Sequence, residues 1–384
     1  MKTAAIISEY NPFHYGHKYM IDKVRKEGAD HVMAVMSGNY TQRGDTAVFD
    51  KFSRAECALQ NGVDLVVELP TRFALIPAEG FARGAVEIIL ALGCADMLAF
   101  GSESGDISAL KEASGAIDYV TKTEEFAKEI KRGSSYPAAL HKTLAQFYTK
   151  DVSEVIDSPN NTLAIEYLNA LDNAGSGIEP FTVKRIGARH DSGEQDVYTS
   201  ASSIRKMIHS GENYSKYAPL VNVPASDISK LEPAILAKLR SMRKDDFERI
   251  FDCAGGLGER LYKAVRHGGS LSEIYFLTKT KRYTLARIRR AVLCAFLDID
   301  KSFALEPSRY VRILGMNSKG KEILSAVKCS LPVDTSLKAL SKTSKEAARQ
   351  AIFEARCTDI YQLAFEKPRP CGTDYTTKPI IIDD

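Results

Sequence analysis

No two cysteines in this 384-residue chain stand at CxxC spacing. The seven present, Cys57, Cys94, Cys253, Cys294, Cys329, Cys357 and Cys371, are odd in number and scattered. That argues against a disulfide framework or a cysteine zinc site and for reduced thiols in a cytosol. Long apolar runs are also missing: none reaches the roughly 18 residues of a membrane span. The start, MKTAAIISEY, holds a strand-length apolar run followed at once by polar residues, unlike a secretory signal. A cytoplasmic protein is expected. Net charge is nearly absent, because 52 Lys+Arg against 49 Asp+Glu leaves +3. A charged partner must therefore be read from a local patch. There is no internal repeat and no low-complexity tract. No GxSxG occurs and no cysteine adjoins a histidine, so nothing signals a protein nucleophile.

What is present is ordinary globular composition, 44% hydrophobic and 26% charged. At roughly 100–200 residues per domain, the length suggests two domains. In the first half, short apolar runs alternate with helical patterns. TAAIIS, HVMAVMSG, VDLVVELP, ADMLAFGSE and FTVKRIG (Phe181–Gly187) read as five strands. GHKYMIDKVRKE, FDKFSRAECALQNG and AEGFARGAVEIILALG read as helices between them. Continuous apolar strands separated by helices predict a doubly wound parallel α/β sheet, Rossmann-like, over residues 1–215. Two further helices, YPAALHKTLAQFY and PNNTLAIEYLNAL, fall between the fourth and fifth strands. After Gly211 a turn-rich stretch, NYSKYAPLVNVPASDISKLEP, reads as a linker. Beyond it the strand pattern disappears. Residues 216–384 are expected to form a mainly α-helical domain with an irregular tail from about Pro368.

One stretch carries chemistry by position. NPFHYGHKYMI lies where the first strand ends and the first helix begins. In open α/β sheets the ligand crevice lies outside the carboxyl ends of the strands, where strand order reverses. A helix N-terminus there offers free N–H groups and partial positive charge to a phosphate. Gly16 permits close backbone approach, and His14 and His17 can donate hydrogen bonds to phosphoryl oxygens. They are not a zinc pair, because that pair needs i, i+4 spacing and no third ligand stands out. A second stretch, YTSASSIRKMIHSG (Tyr198–Gly211), opens a helix with Ser200 or Ser202 as cap. Ser203 and Arg205 fall in its first turn and would face phosphates. With strand order 3-2-1-4-5, strands 1 and 4 flank the switch point. Gly101 then ends strand 4, Arg185 ends strand 5, and Asn160 starts a helix nearby.

NPFHYGH resembles the HxGH motif of the nucleotidyltransferase superfamily, which class I aminoacyl-tRNA synthetases share. Three longer stretches narrow the likeness: SGNYTQRGDTAVFDKFSRAECALQNGVDLVVELP, RHDSGEQDVYTSASSIR (Arg189–Arg205) and YVRILGMNSKG (Tyr310–Gly320). With them, the chain resembles the bacterial tRNA(Met) cytidine acetate ligase family over essentially its whole length. The resemblance implies that ATP and acetate form acetyl-adenylate with release of pyrophosphate. The acetyl group then passes to N4 of the anticodon wobble cytidine of elongator tRNA(Met). It implies an ATP-binding turn at Ile7, Ser8, Glu9, Tyr10, Asn11, Pro12, Phe13, His14, Tyr15, Gly16, His17, Lys18 and Tyr19. Further ATP contacts fall at Gly101, Asn160, Arg185, Ser202, Ser203 and Arg205. His14 and His17 steady the phosphates while pyrophosphate leaves. Mg2+ is expected with ATP, with no carboxylate to name as its ligand.

RNA binding should leave a basic trace. TKTKRYTLARIRR carries Lys279, Lys281, Arg282, Arg287, Arg289 and Arg290 without an acid, and Tyr283 is interleaved for base stacking. Arg43, in the TQRGD loop after strand 2, could meet the target nucleotide or the phosphates. Two other readings stand beside the RNA-modifying ligase. A small-molecule cofactor adenylyltransferase would share the first domain but has no need of a long basic helical half. A non-catalytic RNA-binding protein would not need the HxGH and Ser-Arg motifs.

Overall fold

The computed structural model describes residues 1–185 and 198–383. Its centre is a sheet whose five parallel strands are β1 (Thr3–Ser8), β2 (His31–Ser37), β5 (Leu65–Leu69), β6 (Met97–Ser102) and β7 (Glu179–Lys184). A small hairpin, β3 (Tyr40–Thr41) and β4 (Asp45–Thr46), projects after β2. The spatial order β5-β2-β1-β6-β7 is the expected 3-2-1-4-5, so the order reverses between β1 and β6. The fifth strand starts two residues before its predicted start and ends at Lys184. Gly187 and the 189–197 part of RHDSGEQDVYTSASSIR lie outside the described residues.

Alternation along the strands splits the core into two. Ala5, Ile7, Met33, Val35, Leu65, Val67, Leu98 and Phe100 face one side, where helices Ala78–Leu92 and Pro159–Asn173 cover them. Ala4, Ile6, Val32, Ala34, Met36, Val66, Met97 and Ala99 face the other, under helices Tyr15–Lys26 and Lys51–Gln60. Helix Ala78–Leu92 buries Phe81, Val86, Ile88, Ile89 and Leu92, each worth about 1.5–3 kcal/mol when fully buried. Gly93 then ends it in the left-handed conformation.

The second half departs from the mainly helical expectation in one respect. It is mainly helical as expected, with helices that include Glu232–Ser241, Leu257–His267, Leu285–Leu297 and Lys345–Tyr361. However, YVRILGM supplies β8 (Val311–Met316), which pairs antiparallel with β5 and extends the same sheet. β9 (Val333–Asp334) and β10 (Ile380–Ile381) both pair with β8. All six residues of β8 are buried, so no polar alternation marked it as a strand.

The tail after Pro368 is also more ordered than expected. Asp374 is buried and reaches Lys51 at 2.7 Å and Arg312 at 2.7 Å, and Glu68 closes the group at 2.6 Å from Lys51 and 3.1 Å from Arg312. Two cations and two carboxylates thus neutralise one another inside the protein. Pairing of this kind is the condition under which buried charges are tolerated. The turn-rich linker is packed as well. Tyr15 N–H donates to the Tyr217 carbonyl at 3.1 Å, and buried Ser226 donates to the Ala47 carbonyl at 2.7 Å.

Candidate active site

The turn after β1 runs from Glu9 to His14 and enters helix Tyr15–Lys26 with His14 as N-cap. Tyr10 sits at φ 44, a left-handed conformation uncommon for such a residue. Gly16 N–H donates to His14 Nδ1 at 3.1 Å, and His14 N–H donates to His17 Nδ1 at 3.2 Å. The two histidines therefore form a capping box of the kind more often built from Ser/Thr and Glu. Their rings stack with centroids 3.8 Å apart. A Cβ at Gly16 would come within 2.8 Å of His14 Cε1, so only glycine lets the ring fold over the helix start.

This geometry fixes the protonation of the pair. Each Nδ1 accepts a backbone N–H, so each ring carries its proton on Nε2 when neutral. Burial pushes His14 down to about 4, with Arg185 and Arg205 acting in the same direction. Burial likewise pushes His17 well below the usual histidine range, helped by His14 and Arg185. The site thus holds two neutral imidazoles whose Nε2–H groups serve as donors. Positive charge comes from the arginines instead. Tyr10 and Phe13 pack against the His17 ring with centroids 4.9 and 5.5 Å away.

The second predicted stretch comes to the same place. Ser200 caps helix Ala201–Ser210 by accepting from Ser203 N–H at 3.1 Å, which decides between Ser200 and Ser202. Arg205 donates to the Asn11 carbonyl at 2.6 Å and to Ser202 Oγ at 3.1 Å. It bridges the first turn of this helix to the histidine turn. Arg185 lies beside Gly101, where an added Cβ would meet its Cγ at 3.3 Å. Its charge also acts on both histidines, so Arg185, Gly101, Arg205 and the histidine turn surround the switch point. Asn160 sits one step away. Its amide donates to Glu103, and its neighbour Asn161 accepts from the backbone N–H groups of Glu103 and Ser104. Lys18 pairs with Asp22 on its own helix, and Tyr19 meets Tyr198 edge-on at 6.1 Å.

The basic stretch divides into two. Lys279, Lys281 and Arg282 are exposed and Arg289 is half-buried. Arg290 is buried, paired with Asp252 at 3.0 Å and donating to the Gln42 carbonyl. Arg287 pairs with Asp252 at 3.0 Å and donates to the carbonyls of Asp252 and Ala254. Both are engaged inside the protein. Tyr283 is buried with its hydroxyl on the Gly255 carbonyl, so its ring is not exposed for the expected base stacking. Arg43 is exposed at the tip of the β3–β4 hairpin. Gly44, at φ 75, lets that tip rest on the basic helix, because a Cβ there would lie 2.5 Å from Arg290 N.

Two features were not read from sequence. Arg54 is fully buried, and its guanidinium donates to the carbonyls of Glu9, Ser37, Gly38 and Phe49. It ties the ends of β1 and β2 to the start of helix Lys51–Gln60. The buried group of Lys51, Glu68, Arg312 and Asp374 is the other. Long charged side chains ordinarily read as solvated, and their partners lie far away in the chain. Glu9 accepts from Gln42 N–H at 2.7 Å. Burial raises its carboxyl, against the pull of that hydrogen bond and of Arg205, Arg43 and Arg54.

The fold and site define a class, and the comparisons agree with it. The family model described as HIGH Nucleotidyl Transferase matches residues 1–374. A tRNA(Met) cytidine acetate ligase of Syntrophomonas wolfei is 34% identical, with 99% of each chain covered. One of Caldanaerobacter subterraneus is 37% identical, covering 95% of this chain and 96% of that one. The crystal structure of Thermotoga maritima TmcAL bound with alpha-thio ATP superposes with TM-score 0.90 at 32% identity, and each chain is covered completely. The apo form of that protein superposes with TM-score 0.88. Within the HIGH nucleotidyl transferases, this chain belongs to the tRNA(Met) cytidine acetate ligase family.

Proposed function

We propose that the protein is an ATP-dependent ligase that acetylates N4 of the wobble cytidine of elongator tRNA(Met). An acetate oxygen attacks the α-phosphorus of ATP, and the bond to pyrophosphate breaks. The cytosine amine then attacks the acetyl carbon of the mixed anhydride, and AMP leaves. The observation that carries this reading is the convergence of His14, His17, Arg185 and Arg205 at the switch point. Neutral Nε2–H donors, the anchored Arg205 guanidinium and Arg185 beside it can stabilise charge on the departing pyrophosphate without themselves reacting. Ser202, Ser203 and the N-terminus of helix Ala201–Ser210 supply further phosphate donors, whereas the first N–H groups of helix Tyr15–Lys26, expected to be free, are already taken by Tyr217 and His14.

ATP brings Mg2+ with it in solution. The described residues hold no group of three or more His, Cys, Asp or Glu side chains placed for a metal ion. The ion would be held through the ATP phosphates. Residues 1–215 carry the ATP chemistry. Residues 216–384 carry the tRNA face, on which Lys279, Lys281, Arg282 and Arg289 meet phosphates together with Arg43. Arg287 and Arg290 act there by bracing the helix. No helix among the described residues is long and apolar enough to cross a membrane.

The test is incubation with ATP, labelled acetate and tRNA(Met). Label in the tRNA nucleosides as N4-acetylcytidine is the expected result. Absence of label together with absence of acetate-dependent ATP–pyrophosphate exchange would overturn the proposal.

A further inference from the structure

A cavity of about 550 Å3 lies between the β3–β4 hairpin, helix Ala201–Ser210 and residues 226–228. Asp45, Arg205, Lys206, His209, Ser210 and Asp227 are among the residues that line it. Its volume falls within the range of ligand pockets. Three observations connect it to the chemistry. Arg205 is shared, since the guanidinium that borders the cavity also holds the Asn11 carbonyl. The segment after the hairpin is tied to the same turn, because Val48 N–H donates to Asn11 Oδ1 at 2.7 Å. The hairpin tip rests on the basic helix at Arg289 and Arg290. The hairpin that carries Asp45 thus joins the cavity wall to the basic helix.

Building on the proposed function, we infer that this cavity receives the target cytosine and that Asp45 accepts a hydrogen bond from its N4 amine and then its proton. Asp45 Oδ1 accepts Thr46 N–H at 2.9 Å. Among the described residues Oδ2 has no hydrogen-bond donor. A carboxylate is the acceptor that matches a cytosine amine, whereas uracil presents a carbonyl oxygen there and would be repelled. An anticodon base can be splayed out of its loop at small cost, which suits a recessed pocket. As the N4–C bond forms and the C–O bond to phosphate breaks, the electron pair leaves with AMP. The nitrogen proton passes to Asp45 and on to water. The carboxylate is suited to this: burial pushes it up, the Thr46 N–H, Arg289 and Arg205 pull it down, and Asp227 adds to the rise.

The two half-reactions separate the outcomes. Acetate-dependent ATP–pyrophosphate exchange reads the first, and transfer of labelled acetate to a tRNA(Met) transcript reads the second. Asp45→Asn should leave exchange within about twofold and lower the transfer rate by roughly 100-fold or more, the scale of a lost general base. Ser210→Phe, which fills the cavity from an exposed helix end, should likewise block transfer and spare exchange. Unchanged transfer in either variant overturns the assignment. Joint loss of exchange and transfer in Asp45→Asn also overturns it, because Asp45 would then serve the ATP turn. Absence of exchange in the unsubstituted protein would instead sink the proposed function, and this inference with it.

Discussion

Acidification tests the histidine turn directly. His14 is buried, with a folded pKa of about 4 against 6.5 for a free imidazole. Because the folded value lies below the unfolded one, the unfolded chain takes up a proton first as pH falls. Stability is therefore complete above about pH 6.5 and is lost progressively down to about pH 4. The full difference corresponds to about 3 kcal/mol, at 1.36 kcal/mol per pKa unit. By pH 5 the loss from His14 alone is about 2 kcal/mol, and His17 adds to it in the same direction. The assay is urea unfolding of the unsubstituted protein and of His14→Asn at pH 7 and pH 5. Asparagine retains an acceptor for the Gly16 N–H but cannot titrate. The variant should lose about 2 kcal/mol less than the parent between the two pH values. Equal losses would refute the claim that His14 is held neutral by burial and by the neighbouring arginines.

The remaining expectations concern the framework and the tRNA face. Lys51→Met leaves Glu68 and Asp374 with Arg312 as their one cation in the buried group, and should cost about 3–5 kcal/mol in urea unfolding. A loss under 1 kcal/mol would show that the cluster relaxes or hydrates. Gly44→Ala imposes a left-handed alanine and a Cβ 2.5 Å from Arg290 N, together worth about 2–5 kcal/mol by the same measurement. An unchanged midpoint would mean that the hairpin does not seat on the helix. Lys281→Ala with Arg282→Ala should weaken tRNA binding and flatten its salt dependence by about one unit per lost phosphate contact. The exchange reaction, measured alongside, should not change.

Much of the sheet was legible because its signals are local. Apolar runs such as HVMAVMS and VVEL are buried on both faces, and each run is bounded by polar turns. The 3-2-1-4-5 order and the position of NPFHYGH at the switch point follow from the usual winding of such sheets. Strand β8 was missed because its six residues are all buried and it sits among helices. The basic stretch was read correctly as basic. Which of its members face solvent depends on Asp252, more than thirty residues earlier in the chain, and on the hairpin at Gln42.

By itself, the sequence determined the element order, the capped helix starts and the residue types a phosphate site requires. Each depends on chain neighbours a few positions apart, so periodicity and caps record it. Tertiary structure alone decided that Arg205 grips the Asn11 carbonyl across 194 residues. It also decided that both histidines stay neutral with Nε2–H outward. The same holds for Asp374, which closes a charge group begun at Lys51, and for Asp45, which lines a cavity shared with Arg205. Desolvation and long-range pairing act on side chains through whatever the fold brings beside them. Residue identity sets what a group can do, and its surroundings set its charge and its partner.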